Sequence, residues 1–106
     1  AYARAAARFA SGDDGAVLAE LAAVVAAPRS ATPESLVLAT NAAIRSRAWA
    51  IATSLLEALA ARDPHNPRLR RMLATAYSNA GREQYAAGDT DGARARYDDA
   101  LTLAPD

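Results

Sequence analysis

Residues 77–105 read YSNAGREQYAAGDTDGARARYDDALTLAP, and the spacing inside this stretch decides the fold. Tyr77, Ala80 and Gly81, then Ala93, Tyr97 and Ala100, recur at intervals of three and four residues, which places each set on one face of a helix. Between the two sets, Gly88-Asp89-Thr90 turns the chain. Glycine supplies the positive φ that ends one helix, and aspartate accepts hydrogen bonds from the free amides that begin the next. Pro105 closes the second helix. The same turn occurs earlier: residues 8–16, RFASGDDGA, match residues 84–93, QYAAGDTDGA, at most positions after one gap.

Written as Y-x2-A-G…A-x3-Y-x2-A…P, the stretch resembles one tetratricopeptide (TPR) repeat, a helix–turn–helix unit that stacks into a solenoid. A unit of this kind cannot bury its apolar face alone, so the rest of the chain should supply partners. The middle of the chain carries a second, looser match. Leu36, Ala39, Thr40 and Ala43 suit its first helix, and Ala52, Leu56, Leu59 and Pro64 its second. Arg47 stands where the turn glycine is usual, and Thr40 where the small close-contact glycine is usual. The first hairpin matches least.

Breakers divide the chain into six helical segments. The first covers residues 2–10 and ends at Ser11-Gly12. The second starts at an Asp13 or Asp14 cap and runs to about Ala27, before Pro28. After the linker PRSAT, Thr32 caps a third segment over residues 33–45 with Pro33 as its first residue. The fourth covers residues 48–62. Asn66 caps the fifth, which runs from Pro67 to Ala87, and the sixth ends at Leu103. Short turns make consecutive helices antiparallel neighbours. The expected fold is therefore all-α, and the resemblance implies a right-handed αα-superhelix of three TPR-like hairpins at about residues 1–28, 32–64 and 66–105. Pro64 and Pro105 are 41 residues apart, seven more than the family period of 34. The excess is two helical turns and falls in the fifth segment, about 31 Å long at 1.5 Å per residue. Its first turns should project beyond the stack.

Composition narrows the function. Alanine, at about thirty of 106 residues, favours helix almost everywhere and close helix–helix approach. Net charge is zero, all twelve basic residues are arginine, and acids and bases are mixed. A GC-rich coding sequence would enrich both arginine and alanine. A nucleic-acid or anionic-membrane binder would carry a basic excess, so neither partner is expected. No apolar run is long enough to insert in a membrane. The absence of cysteine excludes disulfides and thiolate metal sites without fixing the compartment; cytoplasmic placement is favoured over periplasmic. The chain opens within a helical pattern, with no initiator methionine or cap, and we expect it to be a fragment of a longer protein.

No catalytic or metal-binding constellation is legible, and neither enzyme activity nor a cofactor is expected. His65, the single histidine, lies between two prolines without a ligand partner at i+3 or i+4. Asp13-Asp14 and Asp89/Asp91 sit at helix starts, where capping and the macrodipole favour acids. Asp98-Asp99 suit surface pairs with Arg94 or Arg96. No phosphate loop or catalytic triad pattern is present.

What remains is binding. Trp49, Tyr77 and Tyr97 occupy packing positions. The resemblance implies that stripes on the first helix of each hairpin line a concave groove for an extended peptide or partner helix. Here those stripes hold Tyr2, Ala6 and Phe9; Val37, Asn41 and Arg45; and Ser78, Arg82 and Tyr85. Some TPR proteins clamp a chaperone C-terminus with Lys, Asn and Arg; this chain has no lysine, and Ala6 stands where the clamp needs Asn. Arg68, Arg70 and Arg71 form an accessory patch, read first as a solvated surface whose charge Asp63 or Glu57 is expected to offset, with a partner-facing patch for acidic groups as the alternative. The leading reading is a non-catalytic interaction or scaffold module. The alternatives are a substrate-recruiting segment of a larger enzyme, such as a transferase, and self-association through apolar ends at Tyr2 and Leu101–Leu103.

Overall fold

In a computed structural model that describes residues 1–104, every regular element is helical. Helices α1 (Tyr2–Ala10), α2 (Asp14–Glu20), α3 (Ala22–Ala26), α4 (Pro33–Arg45), α5 (Trp49–Arg62), α6 (Pro67–Ala86) and α7 (Thr90–Leu103) follow one another, with a 3₁₀ turn at Pro28–Ser30. Pro105 of the spacing pattern lies outside the described residues.

The starts of these helices follow from side-chain caps. Asp13 accepts from the Ala16 amide, Thr32 from Ser35, Asn66 from Arg68 and Leu69, and Asp89 from Gly92. Each satisfies amides that the first helical turn leaves free. Pro33 and Pro67 follow their caps at the first helical position, where the missing N–H costs nothing.

Three helix ends are built alike. After α1, α4 and α6, the amides of Asp13, Ala48 and Asp89 donate to the carbonyls of Arg8, Ala43 and Gln84 at 3.0, 2.8 and 2.8 Å. The amides of Gly12, Arg47 and Gly88 donate to Phe9, Ile44 and Tyr85, each at 3.0 Å. This is the Schellman pattern, with its left-handed residue at Gly12 (φ 81°), Arg47 (φ 61°) and Gly88 (φ 88°). The middle turn thus keeps the geometry without the glycine. A left-handed residue with a Cβ is strained by roughly 1–2 kcal/mol, and the Arg47 side chain makes no hydrogen bond or ion pair among the described residues. Arg47→Gly should therefore raise stability by about 0.5–1 kcal/mol, after the greater freedom of glycine in the unfolded chain is deducted. Urea denaturation would measure it, and a destabilised variant would mean the guanidinium holds a contact of its own.

The core forms two joined clusters. Ala5, Val17, Leu21, Leu36, Ala39, Ala42, Ala43, Ala52 and Leu55 bring together α1, α2, α4 and α5. Leu56, Leu73, Ala76, Tyr77 and Ala100 bring together α5, α6 and α7. Ile44, Trp49 and Leu59 pack against both. Thr40 is buried in the first cluster, and its hydroxyl donates to the Leu36 carbonyl at 2.7 Å, so its polarity is satisfied within the helix. Gly81 is buried where α6 meets α7. Within each pair the partners touch extensively: α1 with α2, α4 with α5, and α6 with α7. Between pairs, α2 packs on α4 and α5 packs on α6.

The region after α2 departs from the expected single helix, so among the described residues seven α-helices are present where six were expected. The helix breaks at Leu21 (φ −103°, ψ 30°) into α2 and α3, and residues 28–30 form a 3₁₀ turn where a plain linker was expected. Burial explains the break: Leu21 is in the core, and the bend lets α3 pack on both α4 and α5. Arg62, at the end of α5, then fastens the turn. Its Nη2 donates to the carbonyls of Pro28, Arg29 and Ala31 at 3.3, 3.2 and 2.7 Å, the first of which also accepts from the Ala31 amide.

Candidate partner-binding surface

The residues expected to line one groove belong to α1, α4 and α6, and the structure distributes them over separate hollows. Tyr2 and Asn41 come together. With Pro33, Glu34, Val37 and Leu38 they line a depression of about 450 Å³ between α1 and α4. Tyr2 and Val37 are 46% and 45% exposed, large apolar side chains left in contact with solvent. Val37 faces outward because Leu36 and Ala39 occupy the inner face of α4.

Phe9 and Arg45 also come together, but on each other. The Arg45 guanidinium lies 3.7 Å from the Phe9 ring centroid. Its Nε donates to the two Asp14 carboxylate oxygens at 2.8 and 3.1 Å, and its Nη2 donates to the Phe9 carbonyl at 2.7 Å. The hydrogen bonds to Asp14 raise the Arg45 pKa further above its ordinary value. Arg45, expected as a partner contact, is thus engaged within the chain: it locks the end of α4 to the α1–α2 turn and covers Phe9. The forked geometry suits that role, since a guanidinium grips a carboxylate with parallel donors.

Ser78 and Arg82 line a second hollow, of about 510 Å³, with Ala74, Thr75, Tyr97 and Leu101 on α6 and α7. Arg82 reaches Asn79 only at 3.5 Å, too long for a firm hydrogen bond, and makes no ion pair among the described residues. Tyr85 lines none of these hollows and stands 65% exposed. It matches Phe9 in the repeated turn, and no arginine covers it. The hollows stay apart because α6 docks on α5 and α7 and hardly touches α4.

Of the accessory patch, Arg68 and Arg71 border a smaller cleft and Arg70 does not. The expected offset by Asp63 or Glu57 is absent. Asp63 accepts from the Asn66 amide at 3.0 Å, and Glu57 accepts from the Tyr77 hydroxyl at 2.7 Å. Burial and the Glu57 carboxylate together push the Tyr77 phenol well above its ordinary pKa. The first turns of α6 were expected to project beyond the stack with an apolar side; Leu69 and Met72 on that side pack against the α5–α7 cluster, leaving the arginines outward.

No family model, curated protein or solved structure matches the chain. Among the described residues no set of three or more His, Asp and Glu side chains converges as a metal site, and no helix is long and apolar enough to cross a membrane. The Asp99 carboxylate accepts from Arg96 at 3.2 Å, the surface pair expected from its spacing. His65 is an exposed turn residue.

Proposed function

We propose that the chain is a non-catalytic protein-interaction module, a right-handed stack of three TPR-like hairpins that takes a peptide or partner helix along α1, α4 and α6. The observation that supports this reading most is the thrice-built turn. Identical hydrogen bonds end α1, α4 and α6, as expected of repeated units that share one template. The faces that such units leave free carry Tyr2, Val37 and Asn41 in one hollow and Ser78 and Arg82 in another.

A partner lying along these faces would cross Arg82 and Tyr85. Arg82→Glu with Tyr85→Ala should abolish retention of partner proteins from lysate, read by mass spectrometry of the captured fraction. Helicity and melting temperature should barely change, because both side chains are exposed. Undiminished capture would reject this face.

A further inference from the structure

The extra length of α6 builds a feature for which α4 has no counterpart. Both helices begin at a cap followed by proline and end in the same turn, yet α4 has 13 residues and α6 has 20. On the added turns, Arg68, Arg71, Met72 and Thr75 fall at i, i+3, i+4 and i+7, one face of the helix. With Ile44 and Trp49 they line a cleft of about 240 Å³. Ile44, Trp49 and Met72 are half-buried and packed against the core, so they form a fixed apolar floor. Arg68 and Arg71 are exposed beside it.

No ion pair among the described residues involves Arg68, Arg70 or Arg71. The acids nearest to them in sequence are committed to Tyr77 and Asn66. Cations near a helix start also oppose the macrodipole, so nothing in the chain favours their placement. The cleft is smaller than the roughly 300–1,000 Å³ of small-molecule sites, which suits one anchoring side chain.

We propose that this cleft binds an acidic peptide segment with an apolar anchor. The anchor lies on Ile44, Trp49 and Met72, and flanking carboxylates pair with Arg68 and Arg71, whose planar forks match them. A nucleic acid fits less well. Single strands need a basic groove with aromatic platforms for successive bases, whereas this floor has one aromatic ring and the chain has no net charge. The cleft adjoins the Ser78–Arg82 hollow through Thr75, and its test rests on Arg68 and Arg71, which line neither that hollow nor the one at Tyr2–Asn41.

Trp49 is the single tryptophan, so its emission reports occupancy of this cleft alone. The probe is an end-blocked peptide, Asp-Glu-Leu-Phe-Glu-Asp, titrated at low salt. We expect a saturable change in Trp49 emission. The amide counterpart Asn-Gln-Leu-Phe-Gln-Asn should bind at least tenfold more weakly, and so should the acidic peptide to Arg68→Glu/Arg71→Glu. That variant should keep its helicity, since both side chains are exposed and acids are favoured at a helix start. Arg82→Glu/Tyr85→Ala should bind the probe as the wild type does, even where it loses the partners of the other face. The proposal is overturned by absence of a saturable change, by equal binding of the amide peptide or to the charge-reversed variant, or by equal binding of hexaglutamate or oligo-dT.

Discussion

Leu56→Ala is expected to remove about 2–5 kcal/mol of stability, toward the upper end of that range. Leu56 is fully buried and meets Leu73, Ala76, Tyr77 and Ala100 at the junction of α5, α6 and α7. Two of those neighbours are alanines, which have no side-chain length with which to fill the space left behind. A cavity that cannot collapse retains its full cost. A domain of this size has about 5–15 kcal/mol in total, so the variant should be partly unfolded at modest urea concentrations. A loss below about 1 kcal/mol would contradict the three-helix packing described here.

Gly81→Leu sets two effects against each other. Leucine is among the best helix formers and glycine among the worst, so propensity alone predicts a gain of up to about 1 kcal/mol. Space predicts the opposite. A Cβ at Gly81 would lie 3.1 Å from the Tyr97 ring, 3.2 Å from the Ala93 carbonyl oxygen and 3.2 Å from the Arg96 Cβ. The carbonyl belongs to the backbone of α7 and cannot rotate aside. Beyond that Cβ, leucine has three more carbons to place. Overpacking of this kind costs typically about 1–3 kcal/mol, and net destabilisation is the expected result in a thermal melt. A higher melting temperature would mean that α6 and α7 approach less closely.

Features set by neighbouring residues were legible in the sequence. The caps at Asp13, Thr32 and Asn66 and the Gly-Asp turns stand where local chemistry puts them, and Leu36, Ala39, Thr40, Ala43, Ala52 and Leu56 are buried as their spacing implies. Features set by distant partners were not. No residue near Leu21 marks the break after α2, because packing against α4 and α5 imposes it. Arg62 offers no local sign that it will hold carbonyls some thirty positions back. Arg45 has the right face for a groove, yet Asp14, 31 residues away, takes it. The arginines of α6 look easily paired in sequence. Among the described residues they form no ion pair, and Glu57 and Asp63 accept from Tyr77 and Asn66 instead.

The seven-residue difference between α4 and α6 has a consequence for angular phase. Seven residues advance a helix by nearly two full rotations, about 20° short. The longer helix therefore presents Tyr77, Ala80 and Gly81 to its neighbours at almost the azimuth that a 13-residue helix would. Length has been added without rotation. Five or six extra residues would have swung Gly81 away from α7 and brought a side chain into the contact. The surplus turns at the start of α6 thus leave unrotated the face that it presents to α5 and α7.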